Sequence, residues 1–407
     1  MRADAEVRNG SLESVRAAGQ AVPVDSRSIT IAFPFEGSVI GGSHISAMRL
    51  IQNLDRRFFR PLVMLHQGDG AVAQLFRAEG LEVTAVPFDL PLRPQGLPGL
   101  ADLFRLPGRF RRMAAFLSAR NVGIVHTNEG ATHANWTVPA ALSGARHIWH
   151  HRSDPGAFGL KMIAPLLATR VITVSRFAVP APGLFSARNK ATVIYSPFDQ
   201  SICETDRDAS RAYVVKELGL PPQTAIVSYL GHFAERKRPD MFVRTLAEFR
   251  RQNPGKPIIG LIFGHEEKPG QMARLQQVID ACDAGDIIRL MGFRRPVETW
   301  LAGSDVLLVP AIAEPFGRTL IEAMLIGTPV VAAASGGNLE AIDQGRTGIL
   351  ATPDQPSELA AALASMLLDP DLARRLAGCA RREALAKFDT DTHVRCVEAV
   401  YREVLAQ

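Results

Sequence analysis

Glu314-Pro315-Phe316-Gly317-Arg318-Thr319-Leu320-Ile321-Glu322-Ala323-Met324 follows an apolar, β-branched run at 305–310 and opens a helix at Gly317 to Thr319, which Gly327 and Pro329 close. A strand, a short loop and a helix that feeds a second apolar run at 329–333 form one unit of a parallel sheet. Backbone N–H groups of Gly317, Arg318, Thr319 and Leu320 then point into the space beyond the strand ends, where a helix N-terminus favours an anion such as phosphate. Glu314 in the loop and Glu322 inside the helix can both face that space. The competing reading makes Glu322 a complement to the helix dipole and Glu314 an ordinary loop charge.

Outward from this unit the same alternation recurs. In the first half, strand-like runs fall at 28–35, 61–65, 82–87, 123–126, 147–150, 170–174 and 192–195, with helical stretches such as 43–53 and 69–79 between them. The stretch 196–211 is polar and lacks an apolar period, which places a domain boundary there. A second set of runs follows at 225–230, 257–263, 286–290, 305–309, 329–333 and 348–350, with helices such as 239–251 and 271–281. Residues 356–406 are helical in period, with a break at 388–391. The expected architecture is α/β, with two doubly wound Rossmann-like domains facing across a cleft. The chain divides into a flexible leader at 1–27, a first domain at 28–200, a second domain at 201–385, and a terminal helix at 386–407 packing back toward the first domain. Ligands of such sheets sit at the carboxyl ends of the strands.

Composition agrees with globular domains: 407 residues, 47% hydrophobic and 21% charged, exclude a disordered or fibrous chain. Cys203, Cys282, Cys379 and Cys396 lie too far apart for a zinc or dithiol pattern, as expected of idle thiols in a reducing cytosol. The N-terminus has no apolar signal core and no run is long enough to span a membrane, so a cytoplasmic location is expected. Charge is uneven: residues 1–200 carry 22 Lys and Arg against 14 Asp and Glu, whereas 201–407 carry 24 against 27. The basic surplus of the first half suits nucleic acid, an anionic membrane or an anionic ligand.

The stretch 314–324 resembles the E-x-x-x-x-x-x-x-E signature of retaining GT-B glycosyltransferases of family four, the group 1 glycosyl transferases. The likeness continues through Gly327-Thr328-Pro329-Val330-Val331, Gly336-Gly337-Asn338-Leu339-Glu340 and Gly345-Arg346-Thr347-Gly348. It implies that Glu314, with the backbone amides of Phe316, Gly317, Arg318, Thr319 and Leu320, holds the donor sugar, and that Glu322 holds the ribose. Residues 229–239 are similar to the family's diphosphate clamp. There Lys237 matches the family's Lys and His232 stands where the family has Arg, a place that Arg236 or Arg238 can take over. Gly41-Gly42 resembles the family's first glycine loop, the nucleobase is expected near Gly292-Phe293-Arg294, and His150, ahead of His151 by register, is expected beside the anomeric carbon. His126-Thr127-Asn128 and Trp149-His150-His151-Arg152 end two strands of the first domain, where their side chains would line the interdomain cleft.

The resemblance implies transfer of a sugar from a nucleoside diphosphate sugar to a glycan, lipid-linked or small-molecule acceptor with retention, with 28–200 as the acceptor domain and 201–385 as the nucleotide-sugar donor domain. His150, Glu314 and Lys237 would be closest to the chemistry, with no metal, no cofactor beyond the donor and no nucleic acid as partner. A nucleotide-sugar epimerase and a non-catalytic sugar-nucleotide binder of the same fold are the alternatives. One further expectation concerns 90–117, where Leu92, Leu97, Leu100, Leu103, Phe104, Phe110, Phe116 and Leu117 interleave with Arg93, Arg105, Arg109, Arg111 and Arg112. This pattern fits either a helix lying on an anionic membrane or a core-facing stripe with a solvated basic face.

Overall fold

The computed structural model describes residues 28–38, 40–92 and 100–407, and of residues 100–103 the backbone alone. The leader and positions Arg93 and Leu97 lie outside them. The first sheet contains β1 (Ile29–Phe35), β2 (Phe59–Leu65), β3 (Val83–Ala85), β4 (Val122–Thr127), β5 (Arg146–His151), β6 (Arg170–Thr173) and β7 (Ala191–Val193), in the order β3-β2-β1-β4-β5-β6-β7. The second contains β8 (Ala225–Leu230), β9 (Ile258–Phe263), β10 (Ile288–Gly292), β11 (Val306–Val309), β12 (Val330–Ala333) and β13 (Ile349–Ala351), in the order β10-β9-β8-β11-β12-β13. The strand pairs of both sheets are parallel, for example Phe33 opposite Val63 and Leu308 opposite Val331. Both sheets turn outward from their first strand, β1 in one and β8 in the other. That reversal opens a crevice at the carboxyl ends.

Parallel strands covered on both faces need apolar residues on both faces. The stretch IIGLIF of β9 is accordingly buried throughout, and Gly260 stands where a Cβ would lie 2.3 Å from Leu246 Cδ2. The polar stretch at 196–211 differs from its sequence reading, because helix Arg207–Leu218 starts inside it. Asp206 caps that helix by accepting from the amides of Asp208 and Ala209, and a cap needs no apolar period.

The C-terminal helix Thr390–Leu405 packs on the first sheet. Val394, Val397, Val400, Tyr401 and Val404 share a core with Ile31, Phe33, Phe59 and Ile124, and the Asp55 amide donates to Glu398 Oε1 at 2.8 Å. Each fully buried side chain of this kind contributes roughly 1.5–3 kcal/mol, so the helix is part of the first core. In helix Leu100–Ser118, Met113 and Leu117 are buried with Trp136, and Phe110 and Phe116 pack against the same cluster, so the second half of its apolar stripe faces the core, while Phe104, Arg111 and Arg112 stay exposed. Among the described residues no helix is long and apolar enough to cross a membrane.

Candidate active site

Glu314 lies after β11 and is 6% exposed. Its carboxylate pairs with Arg236 and accepts from Lys237 Nζ at 2.9 Å. Arg236 and Lys237 sit on a short 3-10 turn, Glu235–Lys237, after β8. Two neighbouring strand ends thus bring two cations and one anion together, and a small cavity lined by Lys237, Glu314, Gly317 and Thr319 adjoins them. The turn Ser335-Gly336-Gly337-Asn338 fixes the Glu314 loop from behind. Gly336 has φ +58°, and a Cβ there would lie 2.6 Å from Glu314 O. The Gly337 amide donates to that same carbonyl at 2.7 Å.

Helix Arg318–Ile326 begins beside this cluster, with Gly317 as its N-cap. Leu320 is buried in the second-domain core and Thr319 is half-buried. Arg318 bridges the domains: its Nη1 donates to Ser46 Oγ at 2.8 Å, its Nη2 lies 3.4 Å from Glu322 Oε1, and its guanidinium stacks on Phe198 at 4.3 Å. Gly42 opens helix Gly42–Asn53 opposite, and a Cβ there would stand 2.5 Å from Arg318 Cδ. The first glycine loop is therefore needed for close approach of the two domains. Burial pushes the Arg318 pKa down, with Glu322 opposing the shift.

The Phe316 ring takes a role separate from its amide: it is 7% exposed and stacks on Tyr195 at 5.8 Å beside Phe198 and Phe388, so it joins an aromatic cluster at the interdomain junction. Alternating apolar positions could not reveal this, because its three partners lie at the interdomain junction and at the end of helix Pro370–Lys387. His232 is exposed at the mouth, 4.5 Å edge-on from His265, and burial together with that neighbour lowers its pKa. Phe293 is exposed and 6.4 Å from His265, so His232, His265 and Phe293 form one aromatic rim. Glu322 is half-buried and paired with Arg318. Arg238 turns away to pair with Asp240 and Asp354.

His150 ends β5 in the first domain, wholly buried between His126 and His393. His150 Nδ1 faces His126 Nε2 at 3.0 Å and accepts from Arg152 Nη2 at 3.3 Å, which places its proton on Nε2. That Nε2 is buried and has no partner among the described residues. His151 points to the other face of β5, where Nε2 bonds Asp154 O at 2.8 Å. Burial holds the pKa of His126, His150 and His393 low, His393 to about 3.

Arg152 belongs to the strand-end cluster expected to line the cleft, whereas Glu129 and Glu340 have roles that the sequence reading did not assign. Arg152 donates to Ser196 Oγ at 3.1 Å and to Asn128 Oδ1 at 3.3 Å, and burial with Arg318 nearby lowers its pKa to about 9. Glu129 accepts from the Glu36 amide at 3.0 Å and pairs with His44, whose Nδ1 accepts from the Gly41 amide at 2.9 Å; the pair therefore pins the glycine loop. Glu340 accepts from the amides of Arg176 at 2.8 Å and Phe177 at 2.7 Å, tying the second domain to the loop after β6. For Glu129 the signal in the sequence is its place just after a strand end.

Residues 211–383, which carry the Glu314–Lys237 cluster and the helix beside it, match the family model "Glycosyl transferases group 1". They are a group 1 glycosyl transferase domain. Curated relatives of the group 1 domain include D-inositol 3-phosphate glycosyltransferases of Corynebacterium jeikeium, 31% identical over 206 residues, and of Nocardia farcinica, 35% over 176 residues. These matches cover 49% and 42% of this chain and 48% and 38% of the relatives, so the chain spans about half or less of their length. The two-sheet architecture is GT-B. HepE of Anabaena, solved in complex with UDP-glucose, superposes with TM-score 0.77 at 21% identity over 92% of this chain and 100% of its own. Sucrose-phosphate synthase of Thermosynechococcus elongatus superposes at 0.72 and 21%, covering 93% and 99%.

Proposed function

We propose that the protein transfers a glycosyl group from a nucleoside diphosphate sugar to an acceptor hydroxyl with retention at the anomeric carbon. The observation that carries this reading is the clustering of Arg236, Lys237 and Glu314 at two strand ends beside the start of helix Arg318–Ile326. Two cations suit a diphosphate, both in the ground state and as charge builds on the leaving oxygen. They neutralise it without a metal, and Glu314 is placed to accept sugar hydroxyls once the phosphates engage its partners. Glu322 would take the ribose, and the His232, His265 and Phe293 rim the base. The unpartnered His150 Nε2–H supports a role for His150 as donor to a sugar hydroxyl. Across the cleft, closure on Arg318 and Gly42 would exclude water and limit donor hydrolysis.

The HepE complex makes UDP-glucose the first donor to try. Calorimetry with UDP, UDP-glucose and other nucleotide sugars tests binding, and proton NMR of the product's anomeric centre tests stereochemistry. An inverted anomer would overturn retention. Donor turnover without any acceptor, yielding an isomeric nucleotide sugar, would overturn transfer.

A further inference from the structure

Between β5 and β7 the first domain carries an apolar face that the transferase reading leaves unused. Residues 158–167 run as two abutting helical turns, Phe158–Met162 and Ala164–Leu167, joined through the Ile163 amide donating to Gly159 O at 2.9 Å and the Leu167 amide donating to Ile163 O at 3.0 Å. One side buries Leu160 and Ala164 against Trp149. The opposite side carries Phe158, Met162 and Leu166, spaced by one helical turn each and more than half exposed. A surface helix normally shows polar residues there; this one is apolar on both sides. The loop before β7 adds Leu184, fully exposed, and Phe185, 79% exposed. Lys190 Nζ holds the two segments together, donating at 2.8 Å to both Pro165 O and Ala168 O.

Charge identifies what would cover this face. Residues 155–198 contain Lys161, Arg170, Arg176, Arg188 and Lys190 and no Asp or Glu. Lys161 and Arg188 are exposed beside the apolar side chains. A twofold contact with a second copy would set these like charges against themselves. Asp154 stands beside Lys161 at one edge, near Gly156, but aromatic and aliphatic side chains rimmed mainly by cations match an interface of acyl chains below anionic headgroups. We propose that residues 158–167 together with Leu184 and Phe185 dock the protein on an anionic lipid bilayer. The buried stripe of helix Leu100–Ser118 has no part in it, and the inference stands independently of the transferase reading.

The test is flotation of the purified protein with vesicles of phosphatidylcholine mixed with phosphatidylglycerol, against phosphatidylcholine alone, across a salt series. The mixed vesicles should carry the protein upward, and added salt should release it. Leu184→Ser with Phe185→Ser should lower partitioning about tenfold or more at unchanged thermal unfolding, since neither side chain has core contacts to lose. Lys161→Glu, a second variant at an exposed site, should weaken binding to mixed vesicles only. Absence of binding at low salt, or wild-type binding by both variants, would overturn the proposal. So would loss of binding through Arg109→Ser with Arg111→Ser and Arg112→Ser instead, which would move the contact to the other surface. Lipid-free self-association abolished by the Leu184 and Phe185 changes would assign the face to a second copy.

Discussion

Protonation of the buried histidines should make the first domain acid-labile, and His393 allows the effect to be isolated. Its Nδ1 donates to Tyr195 O at 2.7 Å, its Nε2 is buried without a partner among the described residues, and burial lowers its pKa to about 3. In the unfolded chain an imidazole titrates near 6.5. Well above pH 6.5 the group is neutral in both states and contributes no pH dependence. As pH falls below about 6.5 the unfolded chain takes up the proton and the folded chain does not, so stability drops by about 1.4 kcal/mol per unit until the folded pKa is reached. At about pH 5 the loss from His393 alone is roughly 2 kcal/mol. His393→Asn removes the titrating group and keeps a donor near Tyr195. Urea unfolding of both proteins at about pH 7.5 and about pH 5 gives a double difference in which the cost of the substitution itself cancels. The fall in stability between the two conditions should be smaller in the variant by roughly 2 kcal/mol. The same fall in both proteins would mean that His393 titrates alike folded and unfolded, and the buried neutral histidine cluster would be wrong.

Four further outcomes are expected. Lys237→Ala should weaken a nucleoside diphosphate by roughly 1.5–3 kcal/mol while leaving the bare nucleoside unchanged, as read by calorimetry. Gly42→Ala, whose Cβ would meet Arg318 Cδ at 2.5 Å, should lower kcat/KM at unchanged thermal stability, because helix Gly42–Asn53 accommodates alanine and only the domain approach is obstructed. Tyr401→Ala should destabilise the protein by about 3–5 kcal/mol in denaturant unfolding, because Tyr401 fills the junction between the C-terminal helix and the first sheet. Activity should survive EDTA, and a loss reversed by Mg²⁺ or Mn²⁺ would show that Arg236 and Lys237 do not neutralise the diphosphate alone.

The strand–helix alternation, the glutamate pair of 314–322 and the apolar period of the C-terminal helix were all legible in the chain. Each is a local pattern, set by backbone geometry that repeats every two or 3.6 residues. Local patterns also put His150, Lys237 and Glu314 at strand ends. What faces what across the cleft is a different kind of fact. Gly42 and Arg318 stand 276 positions apart, and only the packing of the two sheets shows that a missing Cβ in one domain makes room for a guanidinium from the other. The motif speaks for the backbone amides after Glu314 and is silent on the Phe316 ring, whose contacts with Tyr195, Phe198 and Phe388 put it in the aromatic cluster at the interdomain junction. Helix Leu100–Ser118 reads equally as core or membrane surface, since an apolar stripe records that one side leaves water and says nothing of where it goes. Tertiary packing turned Met113 and Leu117 of that helix into the core and left Phe158, Met162 and Leu166 exposed on residues 158–167, a difference that no local pattern carries.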